Sequence, residues 1–117
     1  MKAKLIAFGE IEIEGERYDH DVMIEAGNVS KRVKKGSKIF RDQYGHTPLS
    51  ANEAIPWGGK KLIVGTGVHG SLPVMPDVYK EAERRGIEIV ALPTDDACHM
   101  LRNLKRKDVY AILHITC

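Results

Sequence analysis

From Lys60 onward, short apolar runs alternate with amphipathic stretches of helical length, and that alternation leaves few architectures open. Leu62-Ile63-Val64 is a continuous apolar run closed by Gly65-Thr66-Gly67, as expected of a strand covered on both faces. Pro76 to Arg85 reads as a helix with proline in its first turn, Val78, Tyr79 and Ala82 on its inner face and Gly86 as its stop. Ile87 to Leu92 is a second buried strand. Ala97, Met100, Leu101 and Leu104 then fall at i, i+3, i+4 and i+7 of another helix, capped by Thr94 or Asp95 and ending in Lys105, Arg106 and Lys107. Val109 to Ile115 closes the series as an apolar strand. Strands separated by helices cannot pair as hairpins, so right-handed crossovers make these three strands parallel. Their carboxyl ends collect Gly65-Thr66-Gly67, Thr94-Asp95-Asp96 and Thr116-Cys117 along one edge, where open α/β sheets bind ligands.

The first third has a different period. Ile11 and Ile13 interleave with Glu10, Glu12 and Glu14, and beyond the turn signal Glu14-Gly15 the segment Tyr18 to Ile24 puts Tyr18, Val22 and Ile24 on one face. Ala26-Gly27-Asn28 is a second turn, and Val29 to Val33 adds a third strand to an antiparallel meander with one solvated face. Lys34 to Thr47 has little periodicity and many turn formers, which predicts a long surface loop of a kind uncommon in compact domains unless it binds something. Ser50-Ala51-Asn52-Glu53 has capping-box spacing, predicting a short helix over Ser50 to Ile55 that Pro56 and Gly58-Gly59 end.

At 117 residues the chain has the size of one domain, spanning 1–117. Its 43% apolar and 29% charged residues exclude a disordered chain, and a net charge of +2 demands no polyanionic partner. The apolar run Leu5 to Phe8 is too short for a signal peptide, and no run approaches the roughly 18 residues of a membrane span. Two cysteines, Cys98 and Cys117, are too few for a disulfide framework, so a reducing cytoplasmic setting is expected.

Leu62 to Gly67, Gly86-Ile87-Glu88-Ile89, Thr94 with Ala97 three positions on, Asn103-Leu104 and the ending His114-Ile115-Thr116-Cys117 together resemble the Mth-nine-three-eight domain family. Tyr18 to Val22 and Gly45-His46-Thr47-Pro48 also look like its N-terminal elements, so the resemblance covers nearly the whole chain. The family includes the adipogenesis-associated domain protein and a mitochondrial complex I assembly factor; the ending His114 to Cys117 looks like the former and departs from the latter. The resemblance implies one three-layer α/β domain and supplies no catalytic residues to carry over.

Each candidate site has a functional and a structural reading. Gly65, Thr66 and Gly67 at a strand-to-helix junction would let backbone amides approach an anion, with His69 close behind in a polar loop. They lack the third glycine and the lysine of known phosphate loops, and glycines also serve simply to make a tight turn. Thr94, Asp95 and Asp96 read as a helix cap, or as carboxylates in the crevice. Cys98, in the first turn of its helix, would have a lowered thiol pKa and could bridge Cys117; otherwise it is an inert packed thiol. The five histidines, His20, His46, His69, His99 and His114, show no metal spacing, and no metal or cofactor is expected. Lys31, Arg32, Lys34, Lys35, Lys38 and Arg41 form a run without acids that could contact phosphates, or be a solvated edge. With so small a net charge and so few aromatics nearby, nucleic acid is disfavoured as a partner.

The leading expectation is therefore a single α/β domain, a meander followed by a βαβαβ unit, that binds a small anion or a protein partner at the carboxyl edge through Gly65, Thr66, Gly67, His69, Thr94 and Asp95, and is non-enzymatic or weakly enzymatic. A thiol enzyme using Cys98 or Cys117 is the alternative, and nucleic-acid binding through Lys31 to Arg41 the next. An exposed meander edge permits homodimerisation.

Overall fold

The computed structural model describes residues 1–117. Eight strands form two sheets. Strands β1 (Ala3–Ala7), β2 (Glu10–Ile13) and β3 (Glu16–Tyr18) make a small antiparallel meander. Strands β4 (Val22–Glu25), β5 (Asn28–Lys31), β6 (Lys61–Thr66), β7 (Glu88–Leu92) and β8 (Tyr110–His114) make the larger sheet in the order β5-β4-β8-β6-β7. Both β7 and β8 run parallel to β6, as the crossover argument requires, while β4 is antiparallel to β8 and to β5. The helices are α1 (Arg41–Tyr44), α2 (Pro76–Arg85) and α3 (Thr94–Leu101), with 3₁₀ segments at Lys35–Phe40 and Arg106–Asp108.

The larger sheet is the middle of three layers. On one face Val22, Ile24, Ile63, Ala111 and Leu113 pack under Ala97, Cys98 and Leu101 of α3 and under Ala3, Ile11 and Ile13 of the small sheet. On the other, Leu62, Val64 and Ile112 meet Val78 of α2 together with Leu49, Ile55 and Leu72. The two crossovers move across the sheet in opposite directions. With one hand of crossover they must carry α2 and α3 to opposite faces, and they do.

Four expectations about the first half need correction. Tyr18 to Ile24 is two strands: the chain leaves the small sheet after Tyr18, bends through Asp19-His20-Asp21, and enters the large sheet at Val22. Tyr18, Val22 and Ile24 still reach the same core cluster, because the two sheets share that core. The strand expected at Val29 to Val33 is β5, on the large sheet rather than the meander. Two-residue turns at Glu14-Gly15 and Ala26-Gly27, with φ of 49° and 84° and of 49° and 80°, close the hairpins in the left-handed conformation that right-twisted strands require. The 34–47 loop carries helical turns, and no helix forms over Ser50 to Ile55. Ser50 Oγ accepts the Asn52 amide at 3.3 Å, but the Glu53 carboxylate turns away from the backbone toward Arg32.

Candidate functional site

Arg32 is the pivot of the region. It is 3% exposed and lies in the middle of the basic run, yet every part of its guanidinium is committed. Nε and Nη2 donate to the two Glu53 carboxylate oxygens at 2.8 Å each, Nη1 donates to Asp21 Oδ2 at 2.9 Å, and Nη2 also donates to the Pro48 carbonyl at 3.1 Å. Ser37 Oγ donates to Glu53 Oε2 at 2.5 Å and shares a hydrogen bond with Ser50 Oγ at 2.7 Å. This network ties the 34–47 loop and the Ser50 turn to the start of β4. It also occupies four of the five N–H donors of Arg32 and balances its charge with two carboxylates, which leaves it little to offer a phosphate.

Asp21 links the network to the end of β8. Its Oδ1 accepts the Ile115 amide at 2.9 Å, and its Oδ2 lies 2.8 Å from His114 Nδ1 and 3.7 Å from Lys34 Nζ. Burial alone would push this carboxyl upward; the hydrogen bond and charge of His114, the Ile115 amide and Lys34 outweigh it and hold the group at about 2. On its far side His114 places Nε2 3.1 Å from Thr116 Oγ1.

Between this end of β8 and the 31–47 segment lies a cleft of about 730 Å³. All of Lys31, Arg32, Lys34, Lys35, Lys38 and Arg41 line it, with His46, Ser71, His114, Thr116 and Cys117, and no Asp or Glu side chain is in the lining. Arg32 and Lys34 are paired with acids below the surface, which leaves Lys31, Lys35, Lys38 and Arg41 as unpaired cations facing the cleft. The fold thus brings together the basic run and the last residues of β8, two features that look unrelated in sequence.

The expected glycine-loop site takes a different form. Gly65 is buried inside β6, and a Cβ there would meet Thr94 Oγ1 at 2.8 Å and Leu113 Cδ2 at 2.9 Å, so its smallness serves packing. Gly67, at φ 109°, gives its amide to Thr94 Oγ1 at 2.8 Å. Thr94 does not cap α3 with its side chain: Pro93 occupies the N-cap, and the Thr94 hydroxyl donates to the His114 carbonyl at 2.5 Å. The amides that were to cradle an anion are used by the chain itself. Val68 donates to the Thr116 carbonyl at 2.7 Å, and His69 and Ser71 each donate to the Cys117 main-chain oxygen at 3.1 Å. Gly65, Thr66, Gly67, His69, Thr94 and Asp95 are therefore absent from the cleft lining, whereas Ser71 and Cys117 are part of it.

Cys98 lies in the second turn of α3, past the reach of the N-terminal dipole. It is fully buried against the sheet, and burial, with the Asp95 charge adding to it, pushes its thiol up to about 11. That is the reverse of an activated cysteine. Both cysteines are free and Cys98 is the packed thiol of the structural reading, with no bridge to Cys117. Asp21, His114 and Glu53 were not foreseen in these roles. Asp21 and His114 are 93 positions apart, and Glu53 sits in a capping-box pattern that explains it locally.

The class this defines is a mixed α/β domain with a basic cleft, lined by no acidic side chain, at the mouth of its central strand. The chain belongs to the family described as "Protein of unknown function (DUF498/DUF598)", whose model matches residues 4–114. A conserved hypothetical protein of Pyrococcus horikoshii, PH1505, is 30% identical over 100% of both chains, with a TM-score of 0.80. The protein MT938, the namesake of the Mth-nine-three-eight family, is 25% identical with a TM-score of 0.69, over 94% of this chain and 93% of its own. A protein from Bordetella parapertussis, 20% identical over 96% of this chain and 94% of its own, shares the fold at a TM-score of 0.56. No curated protein matches. The family resemblance read from the sequence thus holds across the chain. No helix is long and apolar enough to cross a membrane.

Proposed function

We propose that this is a binding domain for a small, multiply charged anion, held in the cleft between the 31–47 segment and the end of β8. One observation carries the reading: four unpaired cations, Lys31, Lys35, Lys38 and Arg41, converge on a cleft of about 730 Å³ lined by no Asp or Glu side chain. Like charges gathered without counter-ions repel one another, and an anion relieves that repulsion. The volume lies in the range of small-molecule pockets, and Ser71 and His46 add polar groups able to orient a ligand. Convergence on one cleft favours a compact ligand over a nucleic acid, which calls for cations spread along a track. The free thiols of Cys98 and Cys117 are in keeping with a cytoplasmic setting.

Calorimetric titration with inorganic phosphate, pyrophosphate and citrate tests this. Binding should weaken with added salt, and Lys35→Ala with Lys38→Ala should lower affinity about tenfold or more, at roughly 1 kcal/mol per lost contact, while leaving the unfolding midpoint unchanged. Absence of binding by all three anions, or affinity indifferent to these substitutions, would refute the reading.

A further inference from the structure

The floor of the cleft is more ordered than anion binding requires. His114 uses both ring nitrogens, Nδ1 at 2.8 Å from Asp21 Oδ2 and Nε2 at 3.1 Å from Thr116 Oγ1. An ionised carboxylate only accepts, so Nδ1 carries a hydrogen, and in the neutral imidazole that assignment leaves Nε2 to accept from the Thr116 hydroxyl. The backbone around them is pinned. Asp21 Oδ1 holds the Ile115 amide at 2.9 Å, the Thr94 hydroxyl holds the His114 carbonyl at 2.5 Å, and the Val68 amide holds the Thr116 carbonyl at 2.7 Å. Arg32, itself buried, donates at 2.9 Å to the same Asp21 oxygen that faces His114. A carboxylate, an imidazole and a hydroxyl joined in series by hydrogen bonds, with the last two opening on a cleft, is the arrangement by which a base activates a nucleophile.

We propose that His114 and Thr116 are the general base and nucleophile of a phosphate monoester hydrolase, with Asp21 as the positioning residue; this rests on the anion-binding reading of the same cleft. In the first step Thr116 Oγ attacks phosphorus and its proton passes to His114 Nε2. The ester P–O bond breaks, and the leaving oxygen takes that proton to depart as an alcohol. In the second step water attacks the phosphothreonine and gives a proton to Nε2. The Oγ–P bond breaks, the proton returns to Oγ, and inorganic phosphate leaves. Lys35, Lys38 and Arg41, from the other segment lining the cleft, are the unpaired charges that would face the oxygens of the transferring group.

The test uses the full chain with p-nitrophenyl phosphate as substrate, p-nitrophenyl acetate as a neutral ester control and calorimetry with inorganic phosphate. Hydrolysis of the phosphate ester is expected, falling ~10²-fold or more in His114→Gln and Thr116→Val and partly retained in Thr116→Ser, with phosphate affinity within a few-fold of the parent. Acid-quenched protein should carry a phosphoryl group on Thr116 by peptide mass spectrometry. Asp21→Asn, checked for folding by circular dichroism, should lower kcat with KM unchanged, a split that mere loosening of the fold would not give. Phosphate binding without turnover, or turnover unchanged in Thr116→Val, overturns the hydrolase and leaves the anion site standing. Loss of phosphate binding altogether overturns both.

Discussion

Replacing Arg32 by methionine removes the one cation that compensates two buried carboxylates. The parent guanidinium makes four hydrogen bonds at 2.8–3.1 Å in a site where the Arg32, Asp21 and Glu53 side chains are 1%, 3% and 2% exposed. Removing one partner of such a pair strands the other charge and costs about 3–5 kcal/mol, a large part of the roughly 5–15 kcal/mol that holds a domain together. The loss falls unequally. Asp21 keeps His114, Lys34 and the Ile115 amide, whereas Glu53 keeps only the Ser37 hydroxyl. Glu53 in the variant should therefore take up a proton on folding, so the deficit relative to the parent should shrink as pH falls toward the carboxylate range. Adding Glu53→Gln should recover part of it, since a neutral amide is less costly to bury than an unpaired carboxylate. Urea unfolding followed by the fluorescence of Trp57, the single tryptophan, reads these differences; with a slope near ~1.5 kcal/mol/M the midpoint should drop by about 2–3 M. A loss below about 1 kcal/mol, or a deeper loss when Glu53→Gln is added, would show that the network is hydrated and refute the reasoning.

Two further outcomes are expected. Asp21 is held at about 2 against an ordinary 3.8, so its contribution of roughly 2 kcal/mol is fully present above about pH 4 and is lost as pH falls toward 2; a pH series of unfolding midpoints should bend downward in that window, and a flat series would mean that Asp21 is not stabilised as its contacts imply. Gly67→Ala should destabilise by about 3 kcal/mol or more, because φ is 109° and a Cβ would overlap the Cys117 main chain; an unchanged thermal midpoint would show that the 116–117 segment does not pack against this loop.

What the residue order determined by itself is local or periodic. The apolar runs at 62–64, 87–92 and 109–115 with two helical stretches between them can bury their faces only as parallel strands joined by crossovers, and β6, β7 and β8 are those strands. The Glu14-Gly15 and Ala26-Gly27 turns were legible for the same reason, since a left-handed pair of residues is a short-range demand. Which sheet β4 and β5 would join was not legible, because alternation shows that a strand has a buried face but not what covers it. The site needed tertiary structure more than the fold did. Thr94 reads as a helix cap until the His114 carbonyl and Gly67 amide are seen beside it, and Glu53 reads as a cap until Arg32 arrives from 21 positions away. Arg32 itself is indistinguishable in sequence from the lysines around it. Only the folded chain separates Arg32, consumed in the interior, and Lys34, drawn to Asp21, from the four cations left unpaired at the cleft, because pairing is decided by which groups lose water together.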